Sequence, residues 1–396
     1  MKNLFLNVIA YWLRGNKKAI VMSLSSVVVI SLLSYMLKNQ TLFPGEDLPR
    51  FGLMDFVKRT LNTKSAEDSS VVFVNVAYDK TLITAYEGDP DTIDENSIPK
   101  GKIDITDRSK LLEFLQILQK TNTYAYIFLD IRFETQYKVP EVDSLLFAQI
   151  AQMRDIVVAA HTDMEKQESR IAGKMAYNDY PTTLISTNFV RYKYLYADQA
   201  SMALYAYREI TGKDIRKHAF WYSSDGKLCY NSLFLDFPAE EASVSKVKLL
   251  GVDMLEDSSS EDIAVETKGK YVVIGDMTND VHVTYCGEKA GPVITYNAFL
   301  ALMSGKHMVS FWVSLIMAVI YFLISMAQFK GWSMIPLSKN RPRLLVFFCS
   351  LIEYTMLLTI VVVVMVLCWN VYLSVVVPSL YFTIQKMIVK YKNLQL

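Results

Sequence analysis

The chain has 396 residues, of which 52% are hydrophobic, and a formal net charge of +1. This length and apolar composition exclude a single ordinary soluble domain. Four cysteines are too few for a disulfide-built scaffold. Cys229 and Cys286 lie in the polar middle of the chain and can pair if that part lies in an oxidising compartment, although their spacing does not demand it.

The N-terminal region predicts a retained membrane anchor. Residues 1–18 are basic and amphipathic, which indicates a cytoplasmic segment that lies on the membrane. Residues 19–37 are uncharged and long enough to cross a hydrocarbon core of roughly 30 Å. Because the basic region is long and no small-x-small cleavage site follows Leu37, an anchor is favoured over a cleaved signal peptide.

Residues 38–307 predict an α/β domain. Strands are predicted at 71–77, 124–130 and 155–160, and helices at 111–118, with Thr106 as N-cap, and at 145–153. This alternation is the pattern of right-handed parallel crossovers. The expected fold is therefore a mixed, mostly parallel sheet covered by helices.

The remainder of this domain has a less regular pattern. A loop is predicted at 87–102, strands at 183–189, 219–222, 246–250 and 270–275, and helices at 202–210 and 291–304. Tyr192, Tyr194 and Tyr196 alternate along the chain, which favours the surface of a strand over a binding platform. The last helix leads directly into the next apolar segment.

The C-terminal part predicts three further spans. Residues 308–329 are uncharged, and residues 344–385 are apolar apart from Glu353. One helix over the second stretch would be roughly 63 Å long, about twice what a bilayer needs. Two spans joined near Trp369 fit better. The expected segments are spans at 308–329, 344–368 and 370–386, a basic loop at 330–343 and a tail at 387–396, which gives four transmembrane helices in all.

Basic residues predict the orientation. Three clusters, 11 Lys and Arg in all, precede the first span, separate the second from the third, and follow the fourth. By the positive-inside rule both termini are then cytoplasmic and residues 38–307 are extracytoplasmic. Without these 11 residues and Glu353 the chain holds 30 Lys/Arg and 39 Asp/Glu, a net charge of −9 for the outer part. We expect a multi-pass bacterial inner-membrane protein in contact with membrane lipid, and no nucleic-acid partner.

Motifs at the end of the outer domain carry a family resemblance. They read Gly269-Lys-Tyr-Val-Val-Ile-Gly-Asp276, Asn279-Asp-Val-His282, Gly291-Pro-Val and Tyr296-Asn-Ala-Phe-Leu-Ala-Leu-Met-Ser-Gly305. These motifs resemble the C-terminal signature of CHASE2 domains, the extracytoplasmic sensory modules of bacterial signalling proteins. Weaker matches, such as Leu129-Asp-Ile-Arg-Phe133, extend the resemblance over roughly residues 50–307. The arrangement of one span before the domain and three after it is similar too.

The resemblance implies a sensor that detects an envelope signal and relays it through its transmembrane helices. Two motifs depart from the family: the usual Trp-Pro-Trp-Pro-Arg is reduced to Arg108, and Pro-Gly-Val is inverted at Gly291. CHASE2 proteins commonly carry a kinase or cyclase after the last span, whereas about eleven residues follow Gln385 here. The output is therefore expected from a separate effector or membrane protein partner, and a homo-oligomer is left open.

Five polar residues near predicted strand ends form the candidate ligand site: Asp130, Glu134, Asp276, Asp280 and His282. Open α/β sheets bind ligands at the carboxyl ends of their strands. The same residues also suit loop caps and local hydrogen bonds, and this structural interpretation is favoured over ligand sensing. A metal or hydrolytic cluster is least favoured, because the sequence has no Gly-rich phosphate loop, Ser/His/Asp series or Cys/His metal spacing. We therefore expect no cofactor, no metal and no enzymatic activity.

Glu353 is the acidic residue of the apolar C-terminal stretches. At about 1.5 Å per residue from Arg343, it lies about 15 Å deep in the bilayer. An ionisable group at that depth usually faces the bundle interior or a partner. Packing against a neighbouring helix is favoured, while partner recognition and proton movement are the alternatives.

Three functional classes are open at this point. The first is a receptor that senses an envelope signal and informs a separate effector. The second is a structural or assembly subunit of an inner-membrane complex, with the outer domain as its docking surface. The third, an envelope enzyme, is disfavoured because no nucleophile or metal pattern is present.

Overall fold

The computed structural model describes residues 16–38, 70–86, 99–133, 139–160, 169–180, 191–196, 198–233, 235, 237, 247–284, 287–332, 342–369 and 375–391. The chain divides into two compact units. The helical unit comprises Met1–Phe56 and Val309–Leu396, and the α/β unit comprises Val57–Met308. Glu134 and Cys286 lie outside the described residues, so the role of Glu134 and the Cys229–Cys286 bridge stay predictions.

The helices and strands of the described residues are numbered in chain order over both units. The helices are α1 (Lys17–Lys38), α2 (Arg108–Thr121), α3 (Pro140–Gln152), α4 (Met202–Thr211), α5 (Ser260–Thr267), α6 (Gly291–Met303), α7 (Phe311–Phe329), α8 (Arg343–Trp369) and α9 (Val376–Tyr391), with a 3₁₀ turn at Ser169–Lys174 and a π-helix at Leu250–Glu256. The strands are β1 (Val71–Asn75), β2 (Lys80–Tyr86), β3 (Pro99–Thr106), β4 (Tyr126–Asp130), β5 (Ile156–Ala160), β6 (Met175–Tyr177), β7 (Tyr192–Lys193), β8 (Leu195–Tyr196), β9 (Gln199–Ala200), β10 (Ile215–Lys217), β11 (Tyr222–Ser224), β12 (Lys227–Cys229), β13 (Ser232–Leu233), β14 (Val247–Leu249), β15 (Tyr271–Gly275), β16 (Val281–Thr284) and β17 (Gly287–Ala290).

The centre of the α/β unit is a six-stranded sheet in the order β14-β1-β15-β4-β5-β6. Every neighbouring pair in this sheet is parallel. The predicted mostly parallel α/β sheet is therefore confirmed. The apolar runs of β1, β4, β5 and β15 are buried along nearly their whole length, as expected for strands covered by helices on both faces.

Two apolar cores lie on opposite faces of the sheet. Side chains of β1 alternate between them, with Phe73 in one core and Val74 in the other. Helices α4 and α6 complete the first core, while α2, α3 and α5 complete the second. On α2 the buried side chains recur at one-turn spacing, which explains why this segment is helical. The sheet is thus held rigidly, with the carboxyl ends of its strands at a common edge.

Several local predictions need correction. Asp107, and not Thr106, caps α2, because its carboxylate accepts from the backbone amides of residues 109 and 110. Residues 99–106 form β3, which begins within the predicted loop at 87–102, and pair with β2. Of the predicted strand at 219–222, residues 219–221 form the turn before β11 and only Tyr222 belongs to a strand. Tyr192 and Tyr194 are buried in the core and not on a strand surface, and 183–189 lies outside the described residues.

The helical unit contains three helices that are long and apolar enough to cross a membrane: Lys17–Met36, Phe311–Phe329 and Arg343–Met365. These helices support a membrane protein. Helix α9 has 16 residues and carries Lys386 within its length. Since residues 370–374 are not described, the predicted fourth span at 370–386 is not confirmed.

Candidate functional site

A cleft of about 390 Å³ opens at the carboxyl ends of the parallel strands. Four strands each contribute the residue at their end or directly after it: Val76, Asp130, Asn178 and Asp276. The β2–β3 hairpin forms another wall, and the start of the β16–β17 hairpin contributes Asp280 and His282. The structure thus brings together Asp130, Asp276, Asp280 and His282 at the edge where open parallel sheets bind ligands.

Asp130 lies at the centre of this edge, at the end of β4. Its Oδ1 accepts a hydrogen bond of 2.6 Å from Asn178 Nδ2. Its Oδ2 is buried and has no hydrogen-bond partner among the described residues. Burial raises the pKa of Asp130 to about 8, the negative charge of Asp280 adds to this, and the Asn178 bond opposes it. At neutral pH the carboxyl group is therefore mostly protonated and can donate a hydrogen bond.

A row of hydrogen bonds orients Asn178, the residue whose side chain donates to Asp130. Thr295 Oγ1 donates to Asn178 Oδ1 at 2.8 Å, which orients the Asn178 amide toward the carboxyl group. The Tyr180 hydroxyl lies 2.9 Å from Thr295 Oγ1 and donates to the Gly291 carbonyl at 2.7 Å. Burial raises the pKa of Tyr180 well above its ordinary value, so the phenol stays neutral. This row connects the floor of the cleft to the first turn of α6.

Asp280 and His282 form the opposite side of the cleft. His282 Nε2 lies 3.0 Å from Asp280 Oδ1, and its ring packs edge-on against Tyr180 with centroids 4.5 Å apart. The Gly291 amide donates to the Asp280 carbonyl at 2.8 Å. A Cβ at Gly291 would lie 2.1 Å from Asp280 Oδ2, so this position needs glycine for the carboxylate to keep its place. Asp280 and His282 thus form one of the local hydrogen bonds expected for these residues from the sequence.

Asp276 has a structural role in the cleft wall. Its Oδ1 accepts from the backbone amides of Thr278 and Asn279, and its Oδ2 accepts from Lys80 Nζ at 3.1 Å. Burial by itself raises the pKa of Asp276, but the bonds from Asn279, Lys80 and Thr278 together outweigh burial and hold it below its ordinary value. Asp276 is therefore an anion that shapes the turn after β15.

Arg108 anchors another part of the wall. Its guanidinium pairs with Asp143 of α3, and both side chains are buried. It also lies over the rings of Phe133 and Phe147, at 5.7 and 5.9 Å from their centroids. The pair joins α2 to α3 beside the cleft, so the role of Arg108 is to hold this part of the cleft wall in place.

Sequence reasoning missed Asn178, Tyr180 and Lys80. The strand before Asn178 has three residues, too short for a periodic pattern to identify. A polar amide directly after a β-prone triplet was the available signal. Among the described residues, no group of three or more His, Cys, Asp or Glu side chains is arranged to hold a metal ion.

Glu353 lies in the helical unit and has no part in the cleft. Its Oε2 accepts a hydrogen bond of 2.6 Å from Lys386 Nζ on α9, and the carboxylate is 3% exposed. Gln385, one residue earlier, donates to Ser325 of α7 at 2.8 Å and to Ser26 of α1 at 3.2 Å. Polar groups therefore join the four described helices of this unit, in agreement with helix packing by Glu353.

Comparison with known proteins identifies no relative. No family model, no curated protein and no solved structure matches the chain. The CHASE2 resemblance therefore stays a prediction that rests on the sequence motifs.

Proposed function

We propose that this chain is a membrane-anchored, CHASE2-like receptor whose α/β unit binds a small polar ligand in the cleft. The observation that carries the proposal is Asp130, whose buried Oδ2 faces no described partner although its Oδ1 is held in place by Asn178. A buried polar atom without a partner is costly, and ligand binding would remove that cost.

The chemistry of the cleft defines the class of ligand. The protonated Asp130 donates a hydrogen bond, whereas the carboxylate of Asp280 accepts. The lining carries charges of both signs, with the cations Lys80, which pairs with Asp276, and Arg132 among several aspartates. The cleft therefore suits a small molecule with both hydrogen-bond acceptors and donors, and its volume of about 390 Å³ falls in the range of small-molecule sites.

A connection from the cleft toward the membrane supports signalling. Helix α6 begins at Gly291, against Asp280, and ends at Met303. The chain then reaches the first residue of α7, Phe311, after seven residues. A ligand that moves Asp280 acts directly on the start of α6. We propose that this displacement is relayed through the transmembrane helices to a separate effector or membrane partner, with both termini cytoplasmic and the protein in the bacterial inner membrane.

The test is a thermal-shift screen of the full chain in lipid nanodiscs against small polar metabolites. A ligand that binds the cleft should raise the melting temperature of the wild type and lose most of this effect with Asp130→Asn. Asp257→Asn, at an exposed position after the π-helix, is the matched control and should respond like the wild type. Equal shifts in both variants would place binding elsewhere.

The competing class is an assembly subunit without a ligand. A pull-down in gentle detergent distinguishes the two. Stoichiometric co-purification of envelope proteins, unchanged by Asp130→Asn and by every metabolite, would support assembly and contradict the receptor proposal.

A further inference from the structure

A small antiparallel sheet of the α/β unit carries two exposed aromatic side chains next to each other, Phe220 and Trp221. Strands β10, β11 and β12 form this sheet, which we call the aromatic sheet, residues 215–229. Phe220 is 67% exposed and Trp221 45% exposed in the turn between β10 and β11, and Leu228 of β12 is 43% exposed. Large apolar side chains gathered at one place on a surface indicate an interaction site.

The two faces of the aromatic sheet differ. Ile215 and Cys229 lie on one face and are buried in the core. Arg216, Ser223 and Leu228 are cross-strand neighbours on the other face, which points away from that core. The sheet is therefore fixed to the domain through one face and presents the other outward.

The exposed aromatic residues are held in a defined conformation. The rings of His218 and Trp221 stack, with centroids 5.1 Å apart and planes 23° from parallel. His218 Nε2 lies 2.7 Å from Ser223 Oγ, and the His218 amide donates to the Trp221 carbonyl at 2.8 Å. Phe220 is thereby presented at the tip of an ordered turn, and an ordered apolar tip loses little entropy when it binds.

The net charge of the aromatic sheet is opposite in sign to that of the outer domain as a whole. Residues 215–229 contain Arg216, Lys217 and Lys227 against Asp225, a net charge of +2, whereas the outer part of the chain has −9. Lys217 also pairs with Asp198 at 2.9 Å. Arg216 is therefore the main cation of the outward face, and Lys227 is an exposed cation beside the β11–β12 turn. An exposed tryptophan beside lysine and arginine is the combination found at the interface of an anionic membrane.

The chain itself keeps the aromatic sheet close to the proposed membrane entry. Cys229 forms a β-bridge with Met308, and the Tyr230 amide donates to the His307 carbonyl at 2.7 Å. Helix α7 begins at Phe311, three residues after Met308. Three residues span at most about 11 Å, so the chain keeps Met308, the bridge partner of the sheet, within that distance of the first residue of α7.

We infer that the aromatic sheet binds the headgroup region of the membrane that α7 crosses, with Phe220 and Trp221 in the interface and the basic residues on anionic lipid. This interaction would fix the orientation of the outer domain at the bilayer. The inference rests on α7 as a membrane span and does not depend on the ligand proposed for the cleft.

Fluorine NMR of the full chain in nanodiscs tests this inference. The protein is labelled with 5-fluorotryptophan, and Trp221→Phe identifies the resonance of Trp221. In discs of mixed neutral and anionic phospholipid, lipids with a nitroxide at the headgroup should broaden that resonance and remove most of its intensity. Replacing the anionic lipid with neutral lipid should weaken the loss, and so should Phe220→Ser.

The matched control moves the reporter to another exposed position. Val265 lies on α5 and is 75% exposed. Helix α5 covers one face of the central six-stranded sheet, whereas the aromatic sheet packs on the core at the other face. Val265→Trp in the Trp221→Phe background should keep its intensity in the same discs. If the Trp221 resonance stays as sharp as this control, the inference is overturned. It is also overturned if a co-purifying protein, and not lipid, covers Trp221. Unchanged melting temperatures establish that each variant is folded.

Discussion

Lys386 Nζ lies 2.6 Å from Glu353 Oε2, which joins α9 to α8 inside the helical unit. The side chains of Glu353 and Lys386 are 3% and 12% exposed, so this ion pair is almost completely buried. Removing one partner of a buried pair leaves an uncompensated charge, which costs far more than the pair contributes.

Neutralising one member of this pair should therefore destabilise the helical unit. We expect Glu353→Gln and Lys386→Gln each to lower its stability by about 3–5 kcal/mol. Thermal unfolding in detergent measures the change. The swapped double variant, Glu353→Lys with Lys386→Glu, keeps both charges and should recover much of the loss. A wild-type melting temperature in both single variants would mean that the pair does not hold α8 to α9.

The raised pKa of Asp130 predicts an unusual pH dependence. Its pKa is about 8 in the folded protein and near its ordinary value, 3.8, in the unfolded chain. Between these values the folded state keeps a proton that the unfolded state has lost, so Asp130 lowers stability progressively as pH rises from about 4 to 8. Asp130→Asn removes the titration. The melting temperature of this variant, relative to wild type, should therefore rise over that range.

Asp276 offers the control for this measurement, because its pKa is shifted the other way. The charge of Asp276 contributes its full stabilisation above the pKa of the unfolded chain, about 4. That contribution is lost as pH falls from there through the lowered pKa of the folded state. Asp276→Asn should be less stable than wild type by a constant amount from pH 5 to 8. A flat difference for Asp130→Asn as well would mean that Asp130 is ionised in the fold.

The sequence was informative about the fold wherever residue pattern and burial coincide. The apolar strands of the central sheet and the periodic face of α2 predict their own conformation, because each buries its side chains against a covering layer. The hairpin β2–β3 was missed, since residues 99–106 are mainly polar and their strand is fixed by pairing with residues 80–86. Pairing between distant segments leaves little trace in local composition.

The candidate site was predictable where its residues follow strong apolar strands, and it was not predictable where its contacts depend on pairing between distant segments. Asp130 and Asp276 end strong strands, so their common edge follows from parallel pairing. Asn178 ends a strand of three residues, and its contact with Asp130 depends on the position of β6 at the edge of the sheet. The ion pair of Glu353 was missed for a related reason: Lys386 was assigned to the end of a span from its charge, whereas it lies within α9.

Gly291 gives a direct test of how the cleft is built. Its substitution by alanine places a methyl group 2.1 Å from Asp280 Oδ2, so the carboxylate or the start of α6 must move. We expect Gly291→Ala to lower stability by about 1–3 kcal/mol, the usual cost of overpacking. Calorimetry of the full chain in detergent measures this change.

The control for that variant is Gly173→Ala, because a Cβ at Gly173 meets no atom within 4 Å. This substitution should leave the melting temperature almost unchanged. In the Asp280→Ala background the clash is absent, so Gly291→Ala should cost much less there, and a double-mutant cycle isolates the contact. Equal costs in both backgrounds would show that Asp280 is not what requires glycine.

His307 should make the fold sensitive to acid near the end of the α/β unit. It is 1% exposed, and neither ring nitrogen has a hydrogen-bond partner among the described residues. Burial lowers its pKa to about 4, and the charge of Lys213 adds to this. Between pH 6.5 and 4 the unfolded chain binds a proton that the folded chain does not, so stability falls as pH falls, by on the order of 3 kcal/mol in total.

Replacing His307 by an apolar residue should remove this slope. We expect the melting temperature of His307→Leu, relative to wild type, to rise from pH 7.5 to pH 4.5, whatever its value at pH 7.5. His307→Phe, with a different shape, should give the same slope, which separates titration from packing. Because the His307 carbonyl accepts from Tyr230 at 2.7 Å, the protection factor of the Tyr230 amide, its exchange rate relative to the intrinsic rate at the same pH, should fall in acid in the wild type alone. Parallel pH profiles for wild type and both variants would assign the acid sensitivity to other groups.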